Sequence, residues 1–232
     1  MKNEKSKMKG GNTDYEIIIQ YVIIGILAIL IVYNASKIYG VSANAVAGTS
    51  QGQTLSSFEE YSYVIPTGTP EIYGEELGVK YDDVSTSNPS LADETISKLS
   101  AYEDETLTSA QMERYIKIGS SISCEYCCGA KALVFSNGER ACGCAHSYAM
   151  RGLAKYLLIK HSDMADLEIL NELGKWKVLF FPGVHEKKAS VLKANGIDET
   201  DYINLASNLY RGAENQATTS SSGAGSQMVG GC

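Results

Sequence analysis

Cysteine spacing is the feature that most constrains what this chain can fold into. Five of its six cysteines fall within 21 residues, and the sixth, Cys232, is the final residue. The five are Cys124, Cys127, Cys128, Cys142 and Cys144. Their spacing is C-x2-C-C and then, after an intervening segment, C-x-C-x-H, where the histidine is His146. Thiolate and imidazole are preferred ligands of zinc and copper, so the pattern predicts a metal-binding module over residues 122–160.

The segment between the two cysteine groups favours a β-hairpin. Residues 132–135 (ALVF) are strand-like, and Asn137-Gly138 is a strong two-residue turn signal. A hairpin would bring Cys124 and Cys127 at one end close to Cys142 and His146 at the other. A helix is predicted to follow directly. Cysteine loop, hairpin and helix together resemble treble-clef zinc modules.

The predicted ligand set exceeds what one tetrahedral ion needs. The first-choice ligands are Cys124, Cys127, Cys142 and His146. Cys128 and Cys144 can substitute for them or build a thiolate cluster with several metals. Met150 lies on the same helix face as Cys142 and His146, which would suit Cu(I), whereas Zn(II) needs no thioether and Met150 could belong to the core. The choice between Cu(I) and Zn(II) stays open.

Other uses of the cysteines are also compatible with the sequence. They could form disulfides or hold a permanent structural zinc in an envelope interaction protein, or the CEYC pair could act as a redox motif. Cys232 ends a polar tail and is a candidate mobile thiol for metal transfer. His161 is predicted to lie at a helix end, and His185 in a solvated loop.

The N-terminal region predicts a membrane anchor. Residues 17–33 are almost wholly apolar and follow four lysines, so residues 15–39 read as a single spanning helix that contacts membrane lipid. Residues 1–14 would form a basic cytoplasmic tail, and the C-terminal domain would be extracytoplasmic, with a metal donor or acceptor protein of the envelope as partner. The small-x-small tripeptide at residues 43–45 keeps a cleaved signal peptide as the alternative.

The remaining chain divides into a flexible stalk over 40–68, an α-rich domain over 69–212 and a disordered tail over 213–232. Asn88-Pro89 and the pair Thr108 and Gln111 are helix-start signals. Further helices are predicted up to Lys160, then up to Gly174, and over 184–195. Residues 177–181 could form a short strand or a buried turn, and periodicity does not decide between them. The predicted fold class is mainly α, with one transmembrane helix and a β-hairpin Cys/His module.

Charge and motifs narrow the function. Twenty Lys and Arg against 27 Asp and Glu give a net charge of −7, which disfavours nucleic-acid binding. The chain contains no Walker loop, dinucleotide fingerprint, GxSxG or HExxH motif, so an enzyme is the less favoured class. The sequence therefore predicts a membrane-anchored, extracytoplasmic protein that captures, stores or delivers copper or zinc.

One family resemblance supports the metal hypothesis. Cys142-Gly143-Cys144, followed by His146 and a leucine-bearing helix, is similar to the core of extracytoplasmic proteins that carry a PCYCGC motif. The resemblance covers a short stretch, and this chain has Ala141 directly before Cys142 and lacks the proline. It implies metal binding and membrane attachment, and it carries no mechanism.

Overall fold

Helices make up most of the described structure, a computed structural model that covers residues 59–217 and 228–230 together with Gln20, Tyr21 and Ile24. In chain order, the described α-helices are α1 (Gly74–Leu77), α2 (Pro89–Ser100), α3 (Ser109–Ser120), α4 (Glu125–Cys128), α5 (Ala145–Lys160), α6 (Asp166–Phe180), α7 (Pro182–Ala194) and α8 (Tyr202–Ala206). Short 3-10 turns lie at Glu59–Val64, Tyr81–Asp83, Asn208–Tyr210 and Ala213–Gln216.

Side-chain caps determine where α2 and α3 begin. The Asn88 side chain accepts a hydrogen bond from the Leu91 amide, and Pro89 occupies the first turn of α2. Thr108 and Gln111 form a reciprocal capping box at the start of α3. Both helix starts confirm the predictions from the sequence, because these signals depend only on residues three apart.

The central helix of the fold is α5, which packs against α2, α3 and α6. Gly152 allows the close approach to α2, because a Cβ at this position would collide with the carbonyl oxygen of Leu99. Leu153 and Leu157 on α5 are fully buried, as is Trp176 on α6. The core thus surrounds α5, and the first residues of this helix belong to the cysteine module.

Two local predictions after α5 are wrong. Residues 177–181 form no strand: α6 continues to Phe180, because the apolar stripe of Leu170, Leu173 and Phe180 keeps helical spacing beyond Gly174. His185 is not solvated. Pro182 starts α7 directly after α6, and His185 is fully buried within that helix.

The predicted β-hairpin is also wrong, although the turn itself forms. Gly138 adopts a left-handed φ of 83°, and Val134 and Arg140 make a single antiparallel bridge. No strand is present within 59–217. The physical reason is that the Leu133 amide donates to the carbonyls of Gly119 and Ile122 at the end of α3 instead of pairing across the hairpin. The arms still meet, but as extended loops anchored to a helix.

The structure contradicts two further predictions, the transmembrane helix in the fold class and the location in the cell membrane. No helix in the described part of the chain is long and apolar enough to cross a membrane. The longest described helix, α5, has 16 residues and carries Arg151, Lys155 and Lys160. Residues 15–39 lie outside the described residues except for Gln20, Tyr21 and Ile24, which are helical and exposed.

The described body overlaps the ranges assigned to the stalk and the tail. Within the predicted stalk, Val64 is buried and packs with Val178 and Leu192. Within the predicted tail, Ala213–Gln216 lies against α7, and Val229 is buried beside Phe180, to whose carbonyl its amide donates at 2.9 Å. The C-terminal segment therefore contributes to the core next to the cysteine module.

Candidate metal centre

The first half of the centre is the loop that contains Cys124, Cys127 and Cys128. Cys124 precedes the single turn of α4, and Gly129 ends it in the left-handed conformation that glycine favours. Glu125 anchors this turn, because its carboxylate pairs with Lys177 and with Arg211, at 3.0 Å each. Arg211 also donates to the carbonyls of Gly129 and Ala130. The loop is thus held by cations from elsewhere in the fold.

The second half is the start of α5. Cys144 is the N-cap residue, so its sulfur lies at the positive end of a 16-residue helix. Arg151, about two turns further along, donates to the Cys142 carbonyl at 2.8 Å and to the Leu133 carbonyl at 3.4 Å. The fully buried Arg151 is paired in turn with Glu103 at 2.7 Å. This network fixes the backbone on which the two cysteines lie.

The two halves converge on two groups of ligand atoms. Within each group all ligand atoms lie within 4.8 Å of one another. The first group consists of Cys124, Cys127, Cys144 and His146, and the second consists of Cys128, Cys142 and Cys144. The Cys144 sulfur belongs to both, at 3.3 Å from the Cys124 sulfur and 3.5 Å from that of Cys142. A tetrahedral ion with bonds of about 2.3 Å holds its sulfurs about 3.8 Å apart, so only small shifts are needed.

His146 is arranged as a metal-ligating histidine. Its Nε2 lies 2.8 Å from the Val229 carbonyl oxygen, and since a carbonyl only accepts, Nε2 must carry the hydrogen. In the neutral ring, Nδ1 then has a lone pair. Nδ1 is buried and has no hydrogen-bond partner among the described residues. A backbone carbonyl that fixes the tautomer while the other nitrogen stays available is the usual outer shell of a metal ligand.

The sulfurs of Cys124 and Cys144 lie 3.3 Å apart and form a hydrogen bond. The hydrogen bond with Cys124, aided by the His146 and Ser147 side chains, lowers the pKa of Cys144 far below its ordinary value, although burial opposes this. The same hydrogen bond, followed by burial, raises the pKa of Cys124. The Ser147 hydroxyl oxygen lies 3.3 Å from the Cys144 sulfur. The lowered pKa favours the thiolate form at Cys144, the sulfur that both groups share.

The cysteines occupy different oxidation states. Cys124 and Cys144 carry free thiols, whereas Cys128 and Cys142 are joined in a disulfide. Cys127 is likewise disulfide-bonded. The disulfide therefore does not join Cys124 to Cys127, the two cysteines of the CEYC motif. The structure combines free ligating thiols with a bridge, rather than showing either alternative alone.

The remaining predicted site residues are found in different places. Met150 is buried in the main hydrophobic core, as the alternative reading of this methionine expected. His161 ends α5, with its ring near the Tyr156 hydroxyl. Cys232 lies outside the described residues, so its role as a transfer thiol stays a prediction.

Sequence reasoning missed the charged residues that fix the site. Glu103, Glu125, Arg151 and Lys177 are all buried around it. A signal was available for the two cations, since each occupies a helical stripe of buried residues. Lys177 falls between Leu173 and Phe180, and Arg151 falls between Ser147 and Ala154. A cation on a buried stripe requires a buried anion, and only the fold identifies which one.

Comparisons of the chain with protein-family models, curated proteins and solved structures find no match. The resemblance to proteins with a PCYCGC motif therefore stays a prediction. The proposed function therefore rests on the geometry of the candidate centre.

Proposed function

We propose that the chain binds a thiophilic metal ion, Cu(I) or Zn(II), through Cys124, Cys144 and His146, and serves to capture, store or deliver that ion. These three residues provide two sulfurs and one nitrogen, a donor set that suits both metals. The Cys127 sulfur lies in the same group, but because it is not free, the minimal set is the other three.

The observation that carries this proposal is the unpaired Nδ1 of His146. A buried polar atom without a partner costs about 1–3 kcal/mol and calls for an explanation, of which a bound ion is one. Here the His146 ring is grouped with the two free thiols, and the hydrogen bond at Nε2 leaves the lone pair on Nδ1. Coordination of an ion would satisfy the nitrogen and both sulfurs together.

Exchange of the ion, rather than permanent storage in a closed structural site, is supported by the ligand number and by exposure. Three protein ligands leave one position of a tetrahedral ion open, as in sites where an outside ligand enters. Cys144 is only half-buried, so a ligand from a donor or acceptor protein can reach the shared sulfur. A structural zinc would instead be closed by four protein ligands.

His146→Ala tests the ligand assignment, and His161→Ala is the matched control because His161 lies at the other end of α5. Zn(II) and Cu(I) are each titrated against competing chelators, with bound metal confirmed by native mass spectrometry. We expect His146→Ala to weaken binding by about 100-fold or more, since loss of an outer-shell partner alone costs about 10–100-fold. His161→Ala should bind like the parent chain.

Two further measurements keep the result interpretable. Cys144→Ser, at a half-buried position, should lower affinity as strongly as His146→Ala, and circular dichroism shows whether each variant keeps its helices. Loaded protein that passes its ion to a chelator without unfolding supports capture and delivery. Parental affinity in a folded His146→Ala variant would contradict the ligand assignment, and an ion released only on denaturation would indicate a structural zinc.

A further inference from the structure

The second sulfur group differs from the first in exposure and in oxidation state. Cys128 is exposed at the end of α4, whereas Cys142 is 7% exposed and Cys144 is half-buried. Their three sulfurs lie within 4.8 Å of one another. Two of the three, Cys128 and Cys142, are joined in the disulfide. Because thiolates and not disulfide sulfurs ligate metals, this group cannot bind an ion in the oxidised chain.

The first group does not depend on that disulfide. Its minimal ligands, Cys124, Cys144 and His146, include neither Cys128 nor Cys142. The two groups meet only at the Cys144 sulfur, which lies nearly midway between Cys124 and Cys142, at 3.3 and 3.5 Å. A thiolate has lone pairs enough to bridge two ions, so both groups can be filled at once when all the sulfurs are reduced.

We propose that reduction of the Cys128–Cys142 disulfide creates a second metal site, bridged to the first through Cys144, so that the chain holds one thiophilic ion when oxidised and two when reduced. This inference rests on the proposed function and adds a redox control to it. The second site consists of sulfur alone, a donor set that favours Cu(I). Oxidation would then expel the second ion while the first stays bound.

The redox step balances with an external thiol as the reductant. A thiolate of a small dithiol attacks the exposed Cys128 sulfur, the bond to Cys142 breaks, and Cys142 leaves as a thiolate. The second thiol of the reductant then displaces Cys128 and closes the external disulfide. Two electrons and two protons have passed to the protein, and each thiol loses its proton to solvent when it binds the ion.

Backbone contacts explain why the reduced sulfurs would stay together. Arg151 holds the Cys142 carbonyl, and Arg211 holds the carbonyl of Gly129 directly after Cys128. Neither contact involves the disulfide. The loops are therefore fixed independently of the bond, and its reduction should leave the three sulfurs close enough to share an ion.

Cu(I) loading of the full chain in both redox states tests the proposal. The oxidised chain and a chain reduced with dithiothreitol, freed of reductant under anaerobic conditions, each receive excess Cu(I) as a weak complex. Native mass spectrometry counts the bound ions, and alkylation after denaturation counts the thiols. We expect one ion in the oxidised chain and two in the reduced chain. Cys128→Ser changes an exposed position and should hold one ion in both states, as should Cys142→Ser.

Two variants separate the second metal site from the proposed function on which it rests. Reduction also acts on Cys127, so Cys127→Ser serves as the matched control and should still gain an ion when reduced. His146→Ala should lose the first ion but keep the gain. Equal loading in both states, or a gain that persists in Cys128→Ser, would overturn the second site. A chain that loads nothing when oxidised would instead contradict the proposed function.

Discussion

Buried ion pairs fix both halves of the candidate metal centre, but the pairs are arranged differently in the two halves. In the Cys124 half, the carboxylate of Glu125 belongs to the ligand loop, and Lys177 and Arg211 come to it from outside. In the Cys142 half, the cation belongs to the ligand helix, and Arg151 reaches out to Glu103. A single turn such as α4 is thus held by cations from other elements, whereas the long helix α5 itself supplies the cation that holds its ligand backbone.

The networks are nonetheless matched in burial. Each has a carboxylate that is 5% exposed and a cation that is fully buried, Lys177 or Arg151. Each also has a more exposed arginine, since the side chain of Arg211 is 31% exposed and that of Arg140 is 47% exposed. Removing a buried cation should therefore cost far more than removing an exposed one.

Arg151→Met has the largest expected effect. It removes the buried charge opposite Glu103 and the donors to the carbonyls of Leu133 and Cys142. Breaking a buried ion pair by removing one partner costs about 3–5 kcal/mol, so urea denaturation should show a free energy of unfolding lower by about that amount. Metal loading should fall with it, because the Cys142–Cys144 backbone loses its support.

The double variant Glu103→Gln with Arg151→Met is the control for an uncompensated charge. It should recover part of the lost stability, since no ionised group remains buried without its partner. A single variant as stable as the parent chain would show that the network does not fix this half.

Lys177→Met should have the next largest effect, about 3 kcal/mol, at the lower end of the same range. Lys177 donates to one backbone carbonyl, that of Ala206, where Arg151 donates to two. Its ammonium also favours the thiolate of Cys124. We therefore expect a loss of metal affinity of about tenfold or more at the first site, as for other outer-shell changes.

Lys175→Met provides the comparison for Lys177, because Lys175 is a partly exposed lysine on the same helix and pairs with Glu172 away from the cysteines. It should leave metal affinity unchanged. If both variants bind metal equally well, Lys177 has only a structural role, and the two halves of the centre are less alike than their burial suggests.

The sequence was informative wherever a signal is local. The caps at Asn88 and Thr108 and the turn at Asn137-Gly138 depend on neighbours within a few residues, and all three form. The convergence of the two cysteine groups followed from that turn. That residues on either side of this turn form no strand could not be predicted, because the competing acceptors of the Leu133 amide are the carbonyls of Gly119 on α3 and of Ile122 just after it.

The charged contacts were hidden for a different reason. Arg151 and Glu103 are 48 residues apart, and Lys177 and Glu125 are 52 apart, so no spacing rule links them. His146 was identified as a ligand from its spacing to the cysteines, but its tautomer depends on Val229, 83 residues away. Local chemistry thus identifies candidate ligands, whereas the groups that orient them follow from the tertiary structure.

The smallest expected effect is that of replacing Arg140, the more exposed of the two arginines that pair with Glu103. Burial would raise the pKa of Glu103, but hydrogen bonds from Arg140 and Arg151 outweigh it and hold the pKa below the ordinary 4.5. A carboxyl whose pKa is lowered by folding stabilises the protein above its unfolded pKa, and this stability is lost as the pH falls through the folded value.

Arg140→Ala removes one of these hydrogen-bond donors, so the variant should be slightly less stable than the parent chain at pH 6. The gap should close as the pH falls through the folded pKa of Glu103 and the carboxyl becomes protonated in both proteins. Urea denaturation at a series of pH values measures it. Arg140 also contacts the exposed Asp104, and Asp104→Asn should leave the curve unchanged. A gap that stays constant as the pH falls through the acid range would mean that Arg140 stabilises this half by packing over Tyr148 and not through the charge of Glu103.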